Sequence, residues 1–257
     1  MPRMLVIVLV AGLVSGLLVG GFHNLFTVPV MERAIVLEQE RTAAANGGVV
    51  DDEGALVSLG VQRVGMAVGT GIYGAIMGLL FAGGFTLLRR VVPSWQPMIV
   101  ALTVGALGFW ALSLFPFIRY PLNPPGVGDE STLTSRQLWQ TVFMILSGAG
   151  MAGVLVAMQY VRSLQISVTQ RYRYIGMTLL AYAIFALVIV FAIPGNPDPV
   201  PVPIDLLELF RTLTMVGQFL QWALLATGVG LALEWYRRKA GADPNSAQAV
   251  ASAQRES

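Results

Sequence analysis

Six long apolar runs alternate with more polar segments along the chain. They cover residues 4–31, 64–88, 97–115, 138–160, 175–193 and 213–235. A helix of about 20 apolar residues crosses a bilayer, and each run is close to that length or longer. The pattern predicts an all-α fold, a polytopic membrane helix bundle of about six transmembrane helices. The first run is too long for a signal peptide and lacks a clear small-residue cleavage site, so we expect an uncleaved helix.

The composition supports this class and excludes several kinds of chemistry. Hydrophobic residues make up 55% of the chain and charged residues 12%, whereas charged residues form about 25% of an average soluble domain. The chain has no cysteine, which excludes disulfides, thiolate metal sites and cysteine nucleophiles. Its single histidine disfavours a self-contained multi-histidine metal site. We find no nucleophile–base pair, so we predict no enzyme, and we expect no nucleic-acid partner.

The charges divide unevenly between the two ends of the predicted bundle. The end that carries the amino terminus holds ten of the sixteen basic residues, and the other end holds eleven of the fourteen acidic ones. The positive-inside rule therefore predicts a multi-pass protein of the plasma (cytoplasmic) membrane with both termini in the cytoplasm. An acidic outer face would concentrate cations, although the same asymmetry also follows from the positive-inside bias alone.

The chain divides into a membrane domain and a short tail. We assign residues 1–240 to the transmembrane helical domain. Residues 241–257, GADPNSAQAVASAQRES, are small and polar and contain no aromatic residue. Such a composition cannot bury enough apolar surface to fold, so we expect a disordered cytoplasmic tail.

A proline-dense stretch, residues 115–129 (FPFIRYPLNPPGVGD), follows the third apolar run. We refer to it as the proline segment. Proline fixes φ and lacks the backbone donor, so the segment is predicted to be a stiff, non-helical outer loop. It would shape the entrance to the bundle or dock a partner. The entrance residues that we single out are Tyr120, Pro121, Asn123, Pro124, Pro125 and Asp129.

Glycines recur at helical spacing inside the first two apolar runs. The predicted contact positions are Gly12, Gly16, Gly20, Gly65, Gly69, Gly74 and Gly78. Missing side chains let membrane helices approach closely, so these faces are predicted to pack against neighbouring helices. Two G-x-G-x-x-G matches, residues 69–74 and 148–153, lie inside apolar runs and lack the strand that a dinucleotide site requires.

Polar residues gather at the outer ends of the predicted spans. Polar groups inside a bilayer usually face a cavity or a partner, so we predict an outward-facing polar vestibule. Its members are Asn24, Gln62, Asp205, Arg211 and Gln218. The spacing of Asp205, Glu208 and Arg211 also lets Arg211 pair with either acid.

His23 is the sharpest candidate for a metal ligand. It lies about two turns from the outer end of its helix, and Thr27 and Glu38 point in similar directions on an ideal helix. Imidazole with carboxylate oxygens suits Co²⁺, Ni²⁺ or Zn²⁺, so we predict a metal site formed by His23, Glu38 and Glu208. Two alternatives remain: a polar residue bonded to a neighbouring helix, and a proton relay.

Three methionines, Met144, Met151 and Met158, recur at seven-residue spacing in the fourth run. Thioethers favour Cu(I). Methionine also fills apolar helices without any ligand role, and this interpretation is preferred.

The proline segment resembles the FPFLKYPANPPAVGDP signature of CbtA-type cobalt transporter subunits. Residues 28–40 (VPVMERAIVLEQE), 61–85 (VQRVGMAVGTGIYGAIMGLLFAGGF) and 209–235 (LFRTLTMVGQFLQWALLATGVGLALEW) are similar to further parts of that family's pattern, in the same order. The resemblance implies a membrane subunit for the uptake of cobalt or a related divalent cation. It also implies a small, single-helix, histidine-bearing partner, CbtB-like.

Two functional hypotheses follow. In the first, the chain is an uptake subunit that captures Co²⁺, the transported ion, at the outer face and holds no permanent cofactor. In the second, it is a non-transporting membrane scaffold that assembles a larger complex through its glycine faces. Either form, embedded in the lipid bilayer, could associate as a homo-oligomer. The chain lacks a phosphate-binding loop for ATP, so any ATP dependence requires another protein.

Overall fold

The computed structural model describes residues 2–45, 59–124, 130–196, 198 and 200–241. This part is all-helical. It contains six helices that are long and apolar enough to cross a membrane, which confirms the predicted fold class. The tail that we expect to be disordered lies outside the described residues, apart from Gly241.

The helices follow one another with short connections. In chain order they are α1 Pro2–Phe22, α2 Val28–Ala45, α3 Leu59–Val91, α4 Pro97–Phe109, α5 Phe115–Arg119, α6 Leu133–Ser163, α7 Val168–Ala192 and α8 Ile204–Gly241. The six spans are α1 with α2, α3, α4 with α5, α6, α7 and α8. The last span begins nine residues before the predicted 213 because its first turns are helical but too polar to register as an apolar run.

Two π-helical turns interrupt the described helices. One, His23–Thr27, joins α1 to α2, and the other, Trp110–Leu114, joins α4 to α5. In each, the next residue donates its N–H to the first carbonyl of the turn, five residues back. A proline follows two residues after each turn, at Pro29 and Pro116. Proline has no N–H to continue the helical pattern, and single π turns are a known way for a helix to absorb such a defect.

The proline segment corrects one expectation. We predicted a non-helical stretch from residue 115, but Phe115–Arg119 is helical and the extended backbone begins only at Tyr120. Pro116 is in the first turn of α5, where the missing N–H costs no helical hydrogen bond.

The glycine faces hold α1 against α3. A Cβ atom placed on Gly12 would lie 2.3 Å from the Gly74 carbonyl oxygen, and one on Gly78 would lie 2.3 Å from the Val8 oxygen. Such approach is possible only without side chains, so the predicted packing role holds for these positions. Gly65 and Gly69, by contrast, face open space.

α8 runs through the centre of the bundle, packed on α1 and α4. The main core cluster includes Val8 of α1, Phe81 of α3, Val100 of α4 and Leu225 and Val229 of α8. α7 packs on α6 and leaves most of its apolar surface exposed, as expected for a lipid-facing helix at the edge. The proline segment and the amino terminus of α8 lie at the same end of the bundle, which we call the proline end.

Candidate functional site

One face of α8 carries four polar residues near the proline end and is apolar further along the helix. Arg211, Thr214, Gln218 and Gln221 are spaced three, four and three residues apart, which keeps them within an arc of about 80°. We call these four residues the polar stripe. Leu225 and Val229 continue the same face and are fully buried. The stripe therefore begins at the proline end and stops against the apolar core.

Arg211, the first member of the stripe, binds the proline segment. Its Nε donates to the Leu122 carbonyl at 3.3 Å and its Nη2 to the Asn123 amide oxygen at 2.8 Å. The expected ion pair with Asp205 or Glu208 is therefore wrong for the described structure. Both acids are on the exposed side of α8, whereas the guanidinium turns inward, where the loop offers it two oxygen acceptors.

The proline segment is also fixed to residues 193–203, which connect α7 to α8. Arg119 donates twice to the Ile193 carbonyl, at 3.2 and 2.7 Å, and the Tyr120 hydroxyl donates to the Pro194 carbonyl. Burial raises the pKa of Tyr120, although Arg119 acts in the opposite direction. A phenol with a raised pKa stays protonated at neutral pH, so this donor is retained.

Arg136 of α6 also forms an ion pair with Asp198 of the α7–α8 connection, at 3.1 Å. A polar cavity of about 290 Å³ lies beside it, lined by Asn123, Gln137 and Gln140, among others. The predicted entrance residues Pro121 and Pro124 also line this cavity. Pro125 and Asp129 lie outside the described residues, so their predicted roles stay predictions.

A second cavity at the proline end lies between α2 and α8. Its volume is about 450 Å³, and its charged lining residues are Glu32, Arg33 and Asp205. Glu32 also forms an exposed ion pair with Arg63 at 3.3 Å. Two carboxylates from different helices therefore line one cavity at the proline end.

His23 opens the first π turn and packs against α8. Its Nδ1 lies 2.8 Å from the Thr27 hydroxyl. A Cβ atom on Gly217 would lie only 2.4 Å from His23 Nε2, so the imidazole occupies the space that a side chain at 217 would fill. Nε2 itself makes no hydrogen bond within the described part of the chain. Beside it, Asn24 donates to the Gly20 carbonyl, while its buried amide oxygen has no partner.

Gln218 connects three helices immediately below His23. Its amide oxygen accepts from the Tyr73 hydroxyl of α3 at 3.3 Å and from the Ser113 hydroxyl at 3.0 Å. Ser113 belongs to the second π turn and in turn accepts from Trp222 Nε1 at 3.0 Å. The predicted vestibule residue Gln218 is therefore a hydrogen-bonding centre inside the bundle.

Gln221 ends the polar stripe. It is 1% exposed, and its Nε2 donates to the Ser15 hydroxyl of α1 at 2.8 Å. The Ser15 hydroxyl in turn donates to the Gly12 carbonyl at 2.9 Å. The amide oxygen of Gln221 is buried and has no hydrogen-bond partner in the part of the chain that the structure describes.

The described structure does not bring the three predicted metal ligands together. Glu38 is fifteen residues from His23 along one helical path, which corresponds to about 22 Å. Glu208 lies nine residues before Gly217, the contact of His23, so it faces the opposite side of α8, about 13 Å away along the axis. Among the described residues, no group of three histidine, aspartate or glutamate side chains could hold a metal ion.

The remaining candidates lie in different places. Gln62 begins the second predicted span in the first turn of α3, and its side chain lies outside the described residues. Met144 and Met151 line an apolar cavity of about 450 Å³ between α3, α4 and α6, surroundings that suit a filling role.

Sequence reasoning gave no role to several polar residues that the structure places against the polar stripe. Ser15, Tyr73 and Ser113 bond to the polar stripe. The stripe itself was detectable, since its three–four–three spacing marks one helical face. No local pattern distinguishes Tyr73 or Ser113, because both are surrounded by apolar residues.

Comparison with known proteins identifies the family of the chain. A search of the curated proteins and a search of the solved structures found no match. A family described as "Probable cobalt transporter subunit (CbtA)" matches residues 1–234. The match covers the first five spans and most of the sixth, so the chain belongs to the CbtA family, which is described as probable cobalt transporter subunits.

Proposed function

We propose that this protein is the membrane subunit of an uptake transporter for Co²⁺ or a related divalent cation. In this proposal the proline end is the outer face, where the ion is captured, and both termini are cytoplasmic. The family match supports the transport role, and the excess of basic residues at the opposite end supports the orientation.

The observation that carries the proposal is the position of His23. A histidine inside a membrane span is costly unless it has a function or a partner. The hydrogen bond between Nδ1 and Thr27 orients the ring, and Nε2 makes no hydrogen bond with any residue that the structure describes. Metal-binding histidines are commonly held in this way, with one nitrogen hydrogen-bonded and the other free to coordinate. We therefore assign Nε2 as a ligand of the incoming ion.

The acids act mainly through their charge. Glu32 and Asp205 line one cavity at the proline end, and Glu38 and Glu208 lie on the same side of the bundle in the proposed orientation. Carboxylates at an entrance raise the local concentration of cations. In this proposal Glu38 and Glu208 attract the ion instead of coordinating it together with His23.

A partner subunit completes the ligand set. The chain supplies one histidine, and its family is named for a subunit, which implies a further component. We propose that a small, single-helix, histidine-bearing membrane protein, CbtB-like, adds ligands at the proline end. The proline segment, tied to residues 193–203 and to Arg211, offers a stiff docking surface there.

The test is cobalt accumulation in cells where His23→Ala replaces the natural chain, so that any partner is present. We expect at least about a tenfold loss of uptake, since removing one ligand of a metal site commonly costs that much affinity. Thr103→Ala is the control, because it removes a hydroxyl that donates to the Ile99 carbonyl of its own helix. Unchanged uptake at an equal membrane level of the His23 variant would remove His23 from the mechanism.

One observation favours the scaffold as a second candidate: the described residues hold no complete ligand set. A scaffold would bind no Co²⁺ even with its partner present. Calorimetric titration of the purified complex with Co²⁺ separates the two functions, since a transporter subunit must give a saturable signal that His23→Ala weakens.

A further inference from the structure

The polar stripe continues inward beyond His23 and ends at a polar group that its surroundings do not satisfy. We propose that Gln221, Ser15 and the Gly12 carbonyl form a second cation position, built from neutral oxygens and reached from His23 past Gln218. This inference rests on the proposed transport function. It names where a partly dehydrated divalent ion pauses after it leaves His23.

The unpaired oxygen of Gln221 is the first argument. Its amide nitrogen donates to Ser15, and its oxygen is buried without a partner among the described residues. Turning the amide around would only leave the nitrogen unpaired instead. A buried amide oxygen without a hydrogen bond is unfavourable, so packing alone would favour an apolar residue of similar size.

The neighbouring oxygens are the second argument. Ser15 Oγ lies within hydrogen-bond distance of both Gln221 and the Gly12 carbonyl. Gly12 and Gly74 bring the α1 and α3 backbones together with no side chain between them. Three oxygens from two helices thus gather at one level of the bundle. Hydroxyl, amide and carbonyl oxygens are ligands that hard cations accept.

The depth of the site is the third argument. Gln221 follows Arg211 by ten residues, which is about 15 Å along α8 and half of a typical hydrocarbon core. Beyond it, Leu225 and Val229 pack with Val8 and Phe81 in a closed apolar core. The polar stripe therefore reaches about mid-membrane and ends at this apolar core, as expected for a state closed to the far side.

The link from His23 is short. Gly217, which contacts His23, directly precedes Gln218, and Gln221 lies one turn further. Gln218 keeps an amide nitrogen that makes no hydrogen bond in the described part of the chain. Rotation of this amide, with Tyr73 and Ser113 following, presents its oxygen to the passing ion.

The absence of charge among these ligands suits passage. Conduction requires a site that binds an ion well enough to admit it and weakly enough to release it. A buried carboxylate would hold a divalent ion tightly, whereas serine, glutamine and a backbone carbonyl would not. In this inference His23 captures the ion, and the neutral oxygens deeper in the bundle bind it weakly during its passage.

The test compares uptake with binding in the full-length chain. Gln221→Leu keeps the side-chain size and removes both polar atoms. We expect cobalt uptake to fall about tenfold or more, as for a blocked permeation site, while equilibrium Co²⁺ binding by the purified protein stays within about twofold, because His23 is intact. Phe219→Leu, at a half-exposed position on the same helix, is the matched control and should leave both unchanged.

Normal uptake by Gln221→Leu would overturn the inference and leave the proposed function standing. No uptake by the natural protein would instead reject the proposed function itself. If Gln221→Leu fails to reach the membrane, Ser15→Ala decides, because it removes one oxygen from the same cluster. A loss of about threefold or more supports the site, and uptake equal to that of the natural chain rejects it.

Discussion

The two π turns have the same backbone geometry but serve different purposes. Each lies two residues before a proline, and each contacts neighbouring positions of α8, His23 at Gly217 and Ser113 at Gln218. The polar side chains of the second turn are hydrogen-bonded to other helices. In the first turn, His23 Nε2 and the Asn24 amide oxygen make no hydrogen bond with the described residues. We infer that the second turn anchors the bundle and the first provides the ligand.

The occupied turn shows what anchoring requires. The Ala111 carbonyl accepts from the buried Ser147 hydroxyl of α6, and Trp110 Nε1 donates to Tyr182 of α7 at 2.8 Å. Ser113 connects Trp222 to Gln218. In the first turn, His23 bonds only within the turn, to Thr27. Unused hydrogen-bonding capacity, and not polarity alone, therefore distinguishes the candidate ligand.

The largest expected effect comes from breaking the anchor of the second turn. Trp222→Ala removes a ring that is 2% exposed and packs on Gly108, together with its bond to Ser113. Truncating a buried tryptophan costs about 3–5 kcal/mol, which should lower thermal stability in detergent sharply. Trp235→Ala, on an exposed part of the same helix, is the control. Equal stability of the two variants would contradict the anchoring role.

Ser147→Ala tests the same turn more gently. It leaves the Ala111 carbonyl buried without its donor, a change that costs about 1–3 kcal/mol. The unfolding midpoint should fall, and cobalt uptake per folded molecule should stay normal. Ser163→Ala, which removes an exposed hydroxyl near the end of α6, should leave stability unchanged. A loss of uptake without any loss of stability would assign the second turn a direct role.

Gly217→Ala tests the first turn from the side of α8. The added Cβ would lie 2.4 Å from His23 Nε2 and Cε1, so the ring must swing away while the helices stay in place. We expect about a tenfold weaker Co²⁺ affinity, equivalent to about 1.4 kcal/mol, with little change in stability. Gly176→Ala is the matched control, because nothing lies within 4 Å of its Cβ. An unchanged affinity would show that Co²⁺ binding does not depend on the position of the His23 ring.

Thr27→Ala gives the smallest effect. It removes the hydroxyl that orients His23 Nδ1 and leaves the imidazole in place, so uptake should fall by about threefold, or about 0.6 kcal/mol. Thr86→Ala, which removes an exposed hydroxyl bonded to its own helix, provides the baseline. If Thr27→Ser fails to restore uptake, the hydrogen bond is not what positions the ring.

Much of the fold could be predicted because membrane helices obey local rules. Six apolar runs required six helical spans. The four-residue spacing of glycines within α1 and within α3 indicated close packing, which the structure confirms at Gly12 and Gly74. The helical extension at residues 115–119 was missed, since prolines break helices except in a first turn, and only a π turn provides a new first turn there.

The candidate site was predictable only in part. His23 and Gln218 stand out as polar groups in apolar runs, and both lie in the bundle interior. Glu38 was grouped with His23 because the two point in similar directions around the helix, but the rise along the helix keeps them far apart. Arg211 has nearby acids in sequence, yet its acceptors belong to a loop nearly ninety positions away.

By itself, the sequence determined the class of this protein, its six spans, its family resemblance and which residues share a helical face. These properties depend on composition and period, which are local. Only the tertiary structure decided which faces meet: His23 on Gly217, Ser113 on Gln218, and Ser15 on Gln221 across 206 positions. Such pairs depend on the packing of whole helices against one another, and no periodicity within a single helix encodes its neighbour.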